Sequence, residues 1–111
     1  MPKIDFRIRP PLRGFLDMVM YANPERRDNF TRQLGFEPSP AAEEQSMDMM
    51  IAEMDDAGID RGVVVGRNSG MLGRVSNEDV RAIVQGYDGR FIGVASIDPT
   101  DRKGAVAEID A

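Results

Sequence analysis

Three stretches of the chain carry the hydrophobic pattern of β-strands. In the first, apolar and charged side chains alternate strictly, in the order Ile4, Asp5, Phe6, Arg7, Ile8 and Arg9. The second, RGVVVG at 61–66, is a short β-branched run between glycines, as expected of a strand that is buried on both faces. The third is RFIGVASI at 90–97, and Asp98 and Pro99 follow it.

Apolar residues at helical spacing predict helices between these strands. The clearest helix carries Met47, Met50, Ile51 and Met54 on one side. Gly58 is expected to end this helix, and its methionines are interpreted as core residues. Another helix is predicted to begin at Ser76 with Asp79 three residues on, which resembles a capping box. Its apolar stripe consists of Val80, Ile83, Val84 and Tyr87.

Weaker patterns describe the remaining segments. A helix is expected from Asp101, with Val106 and Ile109 as its inward pair. In the long connection at 10–45, Asn23 can cap a short helix that has Phe30 and Leu34 on its apolar side. Residues 37–41 indicate a turn or an extended linker, and residues 67–74 indicate a glycine-rich loop whose spacing matches no phosphate-binding motif.

The order of the elements is strand, helices, strand, helix, strand, helix. Such alternation predicts an α/β fold with a parallel sheet and right-handed crossovers. A complete (β/α)8 TIM barrel needs about 250 residues. The 111 residues are therefore expected to cover about the first three βα units, with 1–111 as the N-terminal part of a single barrel domain.

Charge and composition narrow the classes of partner. The net charge is −5, which argues against binding to nucleic acid or to an anionic membrane surface. The chain has no cysteine, which fits a cytoplasmic protein. It also has no histidine, and so lacks the commonest metal ligand and the commonest general base.

Candidate site residues follow the three predicted strands, because sites in parallel α/β folds gather at the carboxyl ends of strands. These candidates are Arg7 and Arg9, then Arg67 and Asn68, then Ser96 and Asp98. A pair of arginines on one strand face suits a carboxylate or a phosphate, although a structural network with acidic neighbours would give the same pattern. Arginine cannot ligate a metal ion, so no metal ligand is predicted.

Two carboxylates near these arginines have more than one interpretation. Asp5 shares the predicted face with Arg7 and Arg9, and is the candidate catalytic carboxylate if it acts as a base. A buried ion pair that holds the arginines is the simpler role for Asp5. Asp98, directly before Pro99, is a candidate for substrate binding, but a turn formed through its side chain is the simpler role.

Three segments resemble the amidohydrolase superfamily, in particular the amidohydrolase-2 group related to aminocarboxymuconate semialdehyde decarboxylase. They are IDFRIRP at 4–10, MDDAGIDRGVVVG at 54–66 and YDGRFIGVASIDPTDRKGAVAEID at 87–110. The resemblance implies a TIM barrel with a divalent metal, often zinc, that hydrolyses amides, esters or lactones, or that decarboxylates its substrates. Arg7 and Arg9 stand where that group has two histidine ligands, and Asp5 matches its preceding aspartate.

The leading hypothesis is therefore a barrel enzyme, a hydrolase or a lyase, in which Arg7 and Arg9 bind a small carboxylated substrate. The alternatives are a non-catalytic anion-binding or scaffold protein of the same fold, and a fragment without a function of its own. A homo-oligomer is compatible with the sequence.

Overall fold

The computed structural model describes residues 2–68 and 73–110, with only the backbone described for Val19. Within these ranges a parallel sheet has the strand order β1–β2–β5, where β1 is Ile4–Ile8, β2 is Arg61–Val65 and β5 is Phe91–Val94. All three predicted strands are confirmed, although the third is shorter than 90–97. Crossovers that contain helices join the strands, so the predicted α/β class with a parallel sheet is confirmed.

The central strand β2 is the most deeply buried of the three. Val63 and Val64 pack into the core, and the Val64 side chain is 0% exposed. At Gly62, an added Cβ would lie only 2.7 Å from Ile8 Cγ2 on the neighbouring strand. Glycine is therefore needed at position 62 for β1 and β2 to approach this closely.

Helices α4 (Met47–Asp56) and α5 (Asn77–Gly86) match the predicted pattern. The hydroxyl oxygen of Ser46 accepts the amide of Met49 at 3.2 Å, and that of Ser76 accepts the amide of Asp79 at 3.1 Å. The core contains Met47, Met50 and Met54 from α4 and Val80 and Ile83 from α5. The chain leaves α4 through Gly58 in the left-handed conformation, with a φ of 71°.

The connection at 10–45 contains more helix than the sequence predicted. It holds a 3₁₀-helix at Arg13–Asp17, then α1 (Val19–Ala22), α2 (Pro24–Gln33) and α3 (Pro40–Glu44). The cap of α2 is confirmed, since Asn23 Oδ1 accepts the Arg26 amide at 3.0 Å. The predicted turn or linker at 37–41 is wrong from Pro40 onward. There, Ser39 caps α3, and Glu53 of α4 accepts both the Ser39 hydroxyl and the Ala41 amide.

The predicted apolar side of α2 is also wrong. Phe30 and Leu34 are 63% and 59% exposed, and α2 has no buried residue within the described ranges. Polar contacts attach the helix instead. The Arg27 guanidinium donates to the Ala42 carbonyl oxygen of α3 at 3.2 Å, and Asp28 of the same helix holds this guanidinium through an ion pair at 2.9 Å.

The predicted loop at 67–74 is replaced at both ends by short antiparallel strands. These are β3 (Arg67–Asn68) and β4 (Arg74–Val75), which pair Arg67 with Val75 and Asn68 with Arg74. Val75 is 1% exposed, and burial of this side chain draws the end of the segment into the fold. The middle of the predicted loop, 69–72, lies outside the described residues.

Helix α6 (Arg102–Asp110) does not bury the pair of side chains that the sequence predicted. Val106 and Ile109 are 54% and 68% exposed, so they do not form an inward pair, whereas Ala105 is buried. Glu108 of the same helix reaches α5, where its Oε1 accepts a hydrogen bond from Asn77 Nδ2 at 2.8 Å. None of the helices in the described ranges combines the length and apolarity of a membrane span.

Candidate functional site

The carboxyl ends of β1 and β2 meet at a small recess that holds three arginines. We call it the arginine recess; its polar lining is Arg7, Arg9 and Arg67, and its apolar walls are Ile8, Phe15, Met18, Val65 and Gly66. Its volume is about 40 Å³. The structure thus brings together the three arginines that the sequence placed at the ends of two different strands.

An irregularity in β1 separates Asp5 from these arginines. Asp5 pairs with Gly62 and Ile8 pairs with Val64, so β1 advances three residues while β2 advances two. The extra residue breaks the alternation that had predicted one face for Asp5, Arg7 and Arg9. Asp5 is half-buried and absent from the described lining of the recess, and its Oδ1 accepts the Arg7 amide at 3.0 Å.

The recess concentrates positive charge. The pKa of Arg9 is lowered by burial first, and then by the nearby charges of Arg7 and Arg67. Within the described residues, the guanidiniums of Arg7 and Arg9 form no ion pair. Among the described residues, Asp5 therefore forms no ion pair with these arginines. The described residues also contain no acidic network around Arg7 and Arg9. An anion in the recess would lower the electrostatic cost of this arrangement.

Tyr21 is a supporting residue that the sequence interpretation missed. Its hydroxyl donates to the carbonyl oxygen of Arg9, and its ring is 4% exposed. Burial raises the pKa of Tyr21 from its ordinary value of 10.0 to about 12. The contact fixes the backbone directly after β1 and so sets the position of Arg9. The available signal was a tyrosine at the end of an apolar run at 18–21, since a buried tyrosine usually finds a partner for its hydroxyl.

A second cavity opens on the other side of Arg67. We call it the polar cavity; it has a volume of about 300 Å³ and lies between the segments that follow β2 and β5 and helix α6. It contains Arg67, Asn68 and Asp98 from the predicted site. The predicted binding residues therefore fall into two groups, and Arg67 belongs to both.

Asp98 forms the turn that was its simpler predicted role. Its Oδ1 accepts the hydroxyl of Thr100 at 2.6 Å and the amide of Thr100 at 2.9 Å. These two hydrogen bonds, with that of the hydroxyl the stronger influence, lower the pKa of Asp98. The side chain is exposed and lines the polar cavity.

Asn77, at the start of α5, fixes the shape of the polar cavity. It donates to the Ser96 carbonyl oxygen at 2.8 Å and accepts the Ser96 amide at 2.7 Å, as a paired strand would. At Gly66, an added Cβ would lie 2.9 Å from Asn77 Oδ1 and 2.9 Å from Ser96 Oγ. Asn77 thereby ties the segment after β5 to α5, a role that the sequence interpretation did not assign.

The described residues provide no ligand set for a divalent metal ion at this end of the sheet. Arginine has no free lone pair, and the described residues contain no group of three or more acidic side chains placed to hold a cation.

A wider groove of about 820 Å³ runs along α2 and touches Arg9, but Arg7 and Arg67 do not line it.

Comparison with known proteins supports the fold. No family model matches this chain, and no curated protein matches it. A solved structure, an uncharacterized TIM-barrel protein from Bordetella bronchiseptica, is 52% identical, with a TM-score of 0.90 over 99% of this chain. The fold is that of a partial TIM barrel. This chain spans 39% of the length of that neighbour. The predicted TIM-barrel fold is supported to this extent, and membership of the amidohydrolase superfamily stays a prediction.

Proposed function

We propose that this chain supplies the substrate-carboxylate site of a barrel enzyme, which is either a hydrolase of lactones, esters or amides or a decarboxylase-like lyase. The observation that carries the proposal is the convergence of Arg7, Arg9 and Arg67 on one recess at the carboxyl ends of β1 and β2. In TIM barrels this end of the sheet is where catalytic sites are built.

The recess has the size and charge of a carboxylate site. Its volume of about 40 Å³ exceeds the roughly 10–15 Å³ that a cavity needs to hold one water molecule. It therefore admits a group of a few atoms and excludes a bulky one. Guanidinium groups bind carboxylates through two parallel N–H···O bonds, and the apolar walls strengthen this attraction by excluding water.

In this mechanism the arginines replace a metal ion as the fixed positive charge. They hold the substrate carboxylate and orient the bond that reacts. The reacting groups are then already in position, which lowers the entropic part of the barrier. They also stabilise negative charge that develops beside them. Asp5 lies outside the described lining of the recess, and its contact with the Arg7 amide suits a positioning role.

One observation favours a second candidate function, anion binding without catalysis. The described lining of the recess has arginine as its only polar side chain, so it contains no group that would act as a general base there. A binding protein needs nothing more than the arginines and the apolar walls.

Calorimetric titration of the whole protein with propionate and benzoate tests the proposal. We expect Arg7→Ala and Arg9→Ala each to weaken carboxylate binding at least tenfold, because a hydrogen bond to a charged group contributes about 1.5–3 kcal/mol. The matched control is Arg81→Ala, an exposed arginine on α5 that should leave the affinity unchanged. Equal affinities for wild type and both recess variants would contradict the proposal.

A turnover screen then separates the enzyme from the binding protein. Lactones, aryl esters and aromatic acids are offered to wild type and to Arg9→Ala. Turnover that Arg9→Ala abolishes supports the enzyme, whereas carboxylate binding without any turnover supports the second candidate. Metal analysis of the purified protein accompanies the screen, and stoichiometric, tightly bound zinc would contradict the arginine-only site.

A further inference from the structure

The polar cavity beside the arginine recess is lined by groups of both hydrogen-bonding types. Donors include the Arg74 guanidinium and the Asn68 amide, and acceptors include the carboxylates of Asp98, Asp101 and Glu108. The Ser96 hydroxyl and the Asn68 side chain have no hydrogen bond within the described residues. At about 300 Å³, the cavity is at the lower end of the roughly 300–1,000 Å³ range of ligand sites.

Each carboxylate of this cavity already accepts at least one hydrogen bond from the protein. Asp98 accepts Thr100, Asp101 accepts the Gly104 amide at 3.0 Å, and Glu108 accepts Asn77. An ionised carboxylate has about four acceptor positions. The carboxylates are therefore held in place by the protein and keep further capacity to accept hydrogen bonds from a ligand.

From this lining we infer that the carboxylate ligand is hydroxylated, with its carboxylate in the arginine recess and its hydroxyl-bearing part in the polar cavity. The inference rests on the proposed function, because it takes the carboxylate site as given. Arg67 lines both spaces, so the recess and the polar cavity adjoin each other at this residue.

Hydroxyl groups suit this lining better than the other common substituents do. A hydroxyl both donates and accepts, and the cavity offers partners for both. An apolar ring would remove water from these polar groups without replacing its hydrogen bonds. An ammonium group would meet the carboxylates but would also lie near the like charges of Arg67 and Arg74.

Gluconate and hexanoate form the pair of probes that tests the inference. Both are six-carbon monocarboxylates, and they differ in the hydroxyl groups. By calorimetric titration of the whole protein, we expect gluconate to bind at least tenfold more tightly than hexanoate. Sorbitol, which has the hydroxyl groups without the carboxylate, should bind at least tenfold more weakly than gluconate.

Two sets of variants test which residues cause the preference for gluconate over hexanoate. Asn68→Ala combined with Ser96→Ala should weaken gluconate binding at least tenfold and change hexanoate binding less than twofold. Arg7→Ala combined with Arg9→Ala should weaken both. Both Asn68 and Ser96 side chains lack a hydrogen bond within the described residues, so the first set should fold normally, and a thermal unfolding scan of each variant checks this.

The outcomes separate the inference from the proposal beneath it. If hexanoate binds through Arg7 and Arg9 as tightly as gluconate does, the inference of a hydroxylated ligand is wrong. The proposed carboxylate site is then still supported. The same holds if the Asn68 and Ser96 substitutions weaken both ligands equally. If neither acid binds, or if the arginine variants bind both like wild type, the proposed function fails and the inference fails with it.

Discussion

Strands β1 and β2 are neighbours in one sheet, but β2 is mostly buried and β1 is mostly exposed. In β2, Val64 is completely buried, and Gly62 allows the close approach of Ile8. In β1, Phe6 is 81% exposed, the register slips by one residue, and the strand ends in two arginines without an ion pair in the described ranges. The difference teaches that β2 supports the fold, while β1 carries residues of the candidate site.

Val64→Ala should cause the largest loss of stability. Removing two methyl groups from a fully buried site costs about 2–3 kcal/mol, since each buried CH₂ contributes about 0.8 kcal/mol and a cavity remains. Chemical denaturation measures the change in the free energy of unfolding. The matched control is Val106→Ala on α6, where the side chain is 54% exposed and we expect a change within about 0.5 kcal/mol. Equal losses at both positions would contradict the described burial.

Gly66→Ala tests the junction where β2 reaches the polar cavity. The new Cβ would press on Asn77 Oδ1 and Ser96 Oγ, each 2.9 Å away, and overpacking of this kind costs about 1–3 kcal/mol. Gly86→Ala is the control, because nothing lies within 4 Å of its added Cβ. We expect that control to be neutral or slightly stabilising in thermal unfolding, and a destabilised Gly86→Ala would weaken the argument from close approach.

Tyr21→Phe tests how the end of β1 is held. At neutral pH the loss of its hydrogen bond to the Arg9 carbonyl oxygen should cost about 1 kcal/mol. Tyr87→Phe is the control, since the Tyr87 hydroxyl has no hydrogen bond within the described residues.

The same tyrosine makes stability depend on pH. Its pKa is raised in the folded state to about 12 from 10.0, so its contribution is complete below pH 10 and is lost as the pH rises toward 12. By pH 11 wild type should lose about 1 kcal/mol that Tyr21→Phe does not lose. Denaturation of both proteins at pH 8 and pH 11 measures this, and a constant difference between them would contradict it.

Arg7→Ala and Arg9→Ala should have the smallest effect on stability. Their charges repel each other and Arg67, so we expect changes within about 0.5 kcal/mol, or a slight gain. Arg27→Ala is the contrasting arginine, because its buried guanidinium joins α2 to α3 through the Ala42 carbonyl oxygen. Its removal should destabilise the protein by about 1–3 kcal/mol. A large loss at Arg9 would mean that β1 supports the fold as β2 does.

Much of the candidate site could be predicted because strand ends in a parallel sheet share an edge. That rule placed Arg7, Arg9 and Arg67 together, and the proline after Asp98 indicated its turn. The division into an arginine recess and a polar cavity could not be predicted. It depends on Asn77 and Ser96, which are 19 residues apart and form their pair of hydrogen bonds only in the folded chain.

The sequence by itself determined the features that depend on neighbouring residues. Strand periodicity, the serine caps of α4 and α5, the asparagine cap of α2 and the glycine after α4 are local, because each is fixed within about four residues. Tertiary structure decided the rest. The bulge that removes Asp5 from the recess, the contact of Glu108 on α6 with Asn77, and the pairing of β3 with β4 each depend on distant segments. No local pattern encodes that geometry.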